Sequence, residues 1–135
     1  MPGVLVDGAK NELLDERLAA PPFTTLEFGL FVGATIPDHA TVIGDLTEQS
    51  GVGYARVAIV GWSPASLTGD FHALATANPV GFTNGDVVDW TETTGWFWFD
   101  TAGTKLIAAG RFAIPFTLPP AQTYTTTPYD TLTGE

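Results

Sequence analysis

Two carboxylates at a suitable separation can cleave a glycosidic bond, one as the acid and the other as base or nucleophile. Glu27 is the strongest candidate for such a pair, because it lies inside a strand-like apolar run, LEFGLFV. Its candidate partners are Asp89, Glu92 and Asp100. The favoured alternative makes Glu27 solvent-facing, or the ionic partner of Arg56 or Arg111 on a neighbouring strand. Asp86, Asp89 and Glu92 could hold calcium, but their spacing matches no ligand pattern. His39 follows Asp38 in a loop, and adjacent residues do not easily form a chelating pair on one face. His72, in DFHALA, reads as a partly buried structural residue. Serine occurs at 50, 63 and 66, all in loops and none within G-x-S-x-G. With no cysteine there is no thiol nucleophile, disulfide or thiolate metal site. No phosphate-loop or dinucleotide fingerprint is present. These residues predict a protein that is not an enzyme and uses no cofactor or metal.

The remaining chemistry is recognition. Only five residues are Lys or Arg, and two of them, Arg56 and Arg111, lie inside predicted strands. Each is expected to have a carboxylate partner, on its own chain or on a neighbour's, since Arg is enriched at interfaces. The run Trp96-Phe97-Trp98-Phe99 poses a sharper question. Successive strand side chains point to opposite faces, so two rings can cover a core while the other two need a cover of their own.

The 135-residue chain is long enough for one domain. Fifteen Asp and Glu give a net charge of -10, which argues against a nucleic-acid backbone or an anionic membrane as partner. Charged residues are only 15% of the chain against 44% apolar, so either threonine carries the surface or partners cover it. MPGVLVDGAK lacks the basic start and long apolar centre of a signal peptide, and no run of about 18 apolar residues predicts a membrane helix. A cytoplasmic site of synthesis without signal-directed export is expected.

Residues 1–9 read as an arm or short edge strand around Val4-Leu5-Val6. One helix is predicted over 10–20, KNELLDERLAA, with an apolar stripe of Leu13, Leu14 and Leu18, Asn11 as cap and Pro21-Pro22 as stop. Everything later reads as β: 24–34, 54–62, FHALATA, a hairpin turn at Asn84-Gly85, and a hairpin of WFWFD and KLIAAGRFAI about TAGT. Seven or eight short strands predict an all-β antiparallel sandwich or jelly roll with one N-terminal helix, spanning 10–118. Residues 119–135 hold five threonines within 123–131 and little to build a core. They predict an extended C-terminal arm that docks through Tyr124 and Tyr129.

The segment LEFGLFVGATIPDHATVIGDLTEQSGVGYARVAI resembles small tailed-phage virion proteins. The shared pattern is a strand ending in Leu30-Phe31, an acidic loop, and E-x-S-G-x-G-Y-A-R from Glu48 to Arg56. Further on come Trp98-Phe99-Asp100, a turn at Gly103, and the strand from Leu106 to Gly110. The likeness covers most of 10–118; the final turn has Ala121-Gln122 where such proteins usually place Gly-Asp. It implies a virion structural protein assembled in the host cytoplasm and without an active site. The leading expectation is a capsid decoration (cement) protein, a homotrimer bound to the major capsid protein; the alternative is a tail or fibre component. It further implies that a second copy or the shell covers the outer rings of the aromatic run. An ordinary two-layer core competes with that idea. From another class comes a carbohydrate-binding adhesin whose Trp residues stack on sugar rings. The expected interface residues are Trp96, Phe97, Trp98, Phe99, Arg56, Arg111, Tyr124 and Tyr129.

Overall fold

Glycines opposite aromatic residues set the thickness of the central sheet. In the computed structural model, which describes residues 7–20, 23–67 and 73–132, strand β1 (Leu26–Val32) pairs antiparallel with β7 (Thr93–Asp100). Gly29 lies opposite Phe97, and Phe31 opposite Gly95. A methyl group on Gly29 would sit 2.2 Å from the Phe97 ring, and one on Gly95 would sit 2.1 Å from the Phe31 ring. Each phenyl ring therefore lies flat across its glycine partner. Trp96 does the same on the opposite face, over Gly110 of β8 (Lys105–Phe116).

The main sheet runs β2-β1-β7-β8, and β3 shares the outer edge of β1 with β2. β2 (Thr47–Glu48) takes the Phe31–Val32 end of β1, and β3 (Val57–Ala58) takes the Glu27–Phe28 end. One face carries Leu26, Phe28, Leu30 and Trp98 into the larger core, with Ile59, Val80, Phe82, Trp90 and Leu118. That face is covered by the ribbon of β6 (Val80–Thr83) with β9 (Thr123–Thr126). β10 (Tyr129–Leu132), β5 (Ala73–Thr76) and β4 (Ser66–Leu67) form a third sheet in that order. The one α-helix among the described residues, α1 (Asp7–Leu18), seals β5 by burying Leu14 and Leu18 against Ala73 and Ala75. Phe23 and Trp62 pack against both clusters, and both reach the Trp98 ring edge-on. The architecture is the expected all-β, antiparallel one with a single short helix.

Several expectations change in detail. The helix begins at Asp7, so Asn11 lies inside it and is not its cap, and the N-terminal segment is not separate as far as residue 9. Val4-Leu5-Val6, the Pro21-Pro22 stop and His72 lie outside the described residues. The expected strand 54–62 contributes only Val57–Ala58 to a ladder, because β2 already occupies the rest of that edge. Asn84-Gly85 does not close a hairpin, since β6 pairs with β9. Asn84 is buried instead, where its Nδ2 donates to the carbonyls of Val88 and Leu118 at 2.9 and 2.8 Å. An amide that satisfies two loop carbonyls outweighs the local turn preference of Asn-Gly.

The largest correction concerns residues 119–135. They were expected as an arm beyond the domain; residues 123–132 are two strands within it. β9 pairs with β6 over four positions and β10 with β5 over four. The segment is poor in apolar residues but borrows partners from elsewhere. Tyr124 stacks on Phe116 at 4.6 Å and meets Phe112 edge-on, Pro128 is buried, and the Pro128 carbonyl accepts from Ala77 N at 2.9 Å.

Candidate functional site

The outer face of the aromatic run is covered from within the chain. Phe31, Phe97 and Leu46 form a small buried cluster, against which Ile43, Phe99, Leu106 and Ala109 pack. Arg56 completes the cover: its guanidinium lies 4.6 Å above the Phe99 ring and 5.3 Å from that of Phe97. It is held there by Glu48, whose carboxylate accepts from Arg56 Nε at 2.8 Å and Nη2 at 3.0 Å. Glu27 stands 4.0 Å away on the other side. The Glu48 carboxylate raises Arg56 above its ordinary pKa, so the lid stays charged. Tyr54 joins the same group, donating to Glu48 at 2.9 Å and accepting from Leu30 N at 3.0 Å. Burial pushes its phenol well above the usual tyrosine range.

The segment from Glu48 to Arg56 is thus a packing device in this fold. Glu48 fixes Arg56 and Tyr54. Gln49 is buried, donates to Thr91 O and Thr93 Oγ1, and accepts from Ser50 N and Gly51 N. A methyl group on Gly51 would meet the Trp90 indole at 2.2 Å. Gly53 has φ +88°, a conformation that favours glycine. Sequence reasoning quoted Glu48 and Gln49 without finding these roles. The signal available was a Glu eight residues before a strand Arg in a chain with few cations.

The candidate carboxylate pair does not assemble, and Glu27 takes the favoured alternative beside Arg56. Glu27 faces Arg56, whereas Asp100 turns to the β7–β8 hairpin. There it accepts from Thr25 Oγ1 at 2.6 Å, Ala102 N at 3.1 Å and Gly103 N at 3.0 Å. Asp89 and Glu92 precede Thr93, which pairs with Val32 at the far end of β1. Among the described residues no three His, Asp or Glu side chains cluster as a metal site would require. The Thr25 hydroxyl, then the two turn amides, hold Asp100 below the usual carboxylate range. A depressed folded-state pKa adds stability at pH values above the ordinary value of about 3.9, and that stability is lost as pH falls through the folded-state value. Asp100→Asn is therefore expected to weaken the fold at pH 7 and to flatten the acid limb of its stability profile. Urea unfolding at pH 7 and pH 3 measures both.

The other face of the aromatic run is open in one place. A cleft of about 380 Å³ lies over Phe28, Trp96, Trp98, Ala108 and Phe112, walled by residues 126–130. Trp96 stacks on Phe28 at 6.1 Å and tilts against Trp98 at 6.2 Å. The rim includes Tyr129, which is 62% exposed, and Asp130. Arg17 Nη2 donates to Asp130 Oδ2 at 2.5 Å and to the Thr131 carbonyl at 3.0 Å. Neither Arg17 nor Asp130 was singled out from sequence; they lie 113 residues apart.

Of the eight residues expected at an interface, Phe97 is fully buried in its own chain and Trp98 nearly so. Phe99 lies beneath Arg56, and Tyr124 is in the Phe112–Phe116 stack. Arg111 is exposed, has no carboxylate partner among the described residues, and donates to the Thr35 carbonyl at 3.1 Å. Trp96 and Tyr129 are accessible in the cleft.

A separate feature is the edge of the main sheet. β8 is twelve residues long, and its one strand partner among the described residues is β7. Residues 112–115 oppose Thr94 alone, so this stretch bulges away from β7 and leaves Ile114 83% exposed. Ile36, Val87 and Val88 are also largely exposed. They lie in the loops that follow β1 and precede β7, at the same end of the sheet as Phe116. No helix among the described residues is long and apolar enough to cross a membrane. No family model matches the chain, and no curated protein matches it.

Proposed function

We propose that the protein is a structural component of a tailed-phage virion, a capsid decoration protein that joins copies of itself and the major capsid protein. The open edge of β8 carries this reading. A strand of this length spans up to about 40 Å, and between its bulges its outer edge presents backbone donors and acceptors to an incoming strand. Proteins that stay monomeric usually blunt such an edge with charge, proline or a bulge. Here Lys105, Arg111, Pro115 and the register breaks at Ile107 and residues 112–115 interrupt the edge, which leaves Ala108, Ala109 and Gly110 as its regular uncharged stretch. The aliphatic tips at Ile36, Val87, Val88 and Ile114 extend the same apolar character to one end of the sheet. The sequence likeness to phage virion proteins supports the same reading, and a tail or fibre position would use the edge in the same way.

Sedimentation of the purified chain, alone and mixed with shells of the major capsid protein, tests this. The reading expects a homotrimer or cosedimentation with shells, and expects the double change Ala113→Lys/Ile114→Lys to reduce both without lowering the melting temperature. A stable monomer that leaves shells unbound would sink it.

A further inference from the structure

We propose that the cleft over Trp96 and Trp98 binds an uncharged pyranose ring of a glycan, independently of any role in assembly. Its volume of about 380 Å³ falls in the range of about 300–1,000 Å³ typical of small-molecule sites. The floor is aromatic: Trp96 and Phe112 are half-buried and offer their rings, with the buried Phe28 and Trp98 beneath and beside them. The electron-rich face of an indole attracts the slightly positive C–H groups on the flat side of a sugar ring, as it attracts other positive edges. Trp96 is held for that contact, with one face of its ring resting on Gly110 and Phe28 lying nearly parallel but offset beside it at 6.1 Å, too far to cover the other face. The short side chain of Ala108 leaves room above the floor.

The wall decides between occupants. Thr126, Thr127 and Asp130 bring hydroxyls and a carboxylate to one side of an otherwise apolar cleft, which suits a ligand with one apolar face and a hydroxylated rim. Asp130 is oriented before any ligand arrives: Oδ2 takes Arg17 and Oδ1 takes Thr131 N at 3.0 Å. A carboxylate offers about four acceptor positions, so it retains capacity for sugar hydroxyls. Arg17 neutralises Asp130 locally, and it is the chain's net charge of -10 that disfavours acidic sugars, phosphates and fatty-acid headgroups. Tyr129 stands at the rim, where its ring can meet the next sugar unit.

The test is tryptophan fluorescence and calorimetry of the full-length protein titrated with cellohexaose, maltohexaose, chitohexaose and xylohexaose, with alginate oligomers as the anionic comparison. At least one neutral oligomer is expected to bind and shift the tryptophan emission, while alginate does not. Tyr129→Ala, a change at an exposed side chain, is expected to weaken binding about tenfold with an unchanged circular-dichroism spectrum. Ala108→Phe is expected to abolish binding by filling the cleft. Three results would overturn the proposal: no neutral oligomer binds, alginate binds better, or a sugar binds equally well to wild type and Tyr129→Ala.

Discussion

Deleting residues 120–135 is expected to abolish the cooperative thermal transition. The deletion removes β9 and β10, and with them the four-position ladders on β6 and β5. Val80 and Phe82, core residues of β6, would lose the strand that holds them against the main sheet. Tyr124 would leave Phe112 and Phe116 without their stacking partner. Asp130 would no longer anchor Arg17, which ties α1 to β10. An arm that docks on a neighbour would give the opposite result, a truncated protein that melts as the full chain does. Circular dichroism at 218 nm during heating distinguishes the two outcomes.

Phe97→Ala is the second change expected to have a large effect. Phe97 is fully buried, lies flat over Gly29, and has Arg56 above it. Large-to-small changes at such sites cost about 3–5 kcal/mol, a substantial part of the 5–15 kcal/mol that holds an ordinary domain together. Little can collapse into the space, because the partner across the strand is a glycine and the rings beside it are fixed by their own contacts. Phe97→Leu, which keeps most of the volume, is expected to cost less than half as much. Urea unfolding of the three proteins measures the difference. Equal stability of Phe97→Ala and wild type would mean that the ring is not packed from within the chain.

The sequence was most readable where a local pattern and the tertiary structure agree. The alternation in LEFGLFV places Leu26, Phe28 and Leu30 on one core face. The TAGT turn and its flanking runs give β7 and β8 as expected. Leu14 and Leu18 are buried as the helix stripe requires, although Leu13 stays largely exposed. What could not be read depends on distant partners. The threonine-rich C-terminal segment is unpromising by itself and becomes ordered through β5 and β6, about fifty residues upstream. Asn84 carries the same local signal whether it turns a hairpin or satisfies two buried carbonyls. The two faces of Trp96–Phe99 pose a problem that the sequence shows, and cover from within the chain is one of its two readings, but the sequence does not show that Leu46, Ile43 and Arg56 supply that cover. Aromatic residues set opposite Gly29, Gly95 and Gly110 make both faces thin enough for one chain to cover most of them. The cleft is a similar case: Arg17, Asp130 and the two tryptophans come together only when β10 lies beside β5.

With the aromatic faces largely covered internally, the edge of β8 is the surface on which the account of assembly rests. Hydrogen–deuterium exchange over residues 105–116 tests this most directly, comparing the isolated chain with the protein in purified particles. Incorporation is predicted to slow exchange across this segment, as the outward-facing amides gain partners, while the β1–β7 ladder changes little. Equal exchange of residues 105–116 in both states would contradict the account.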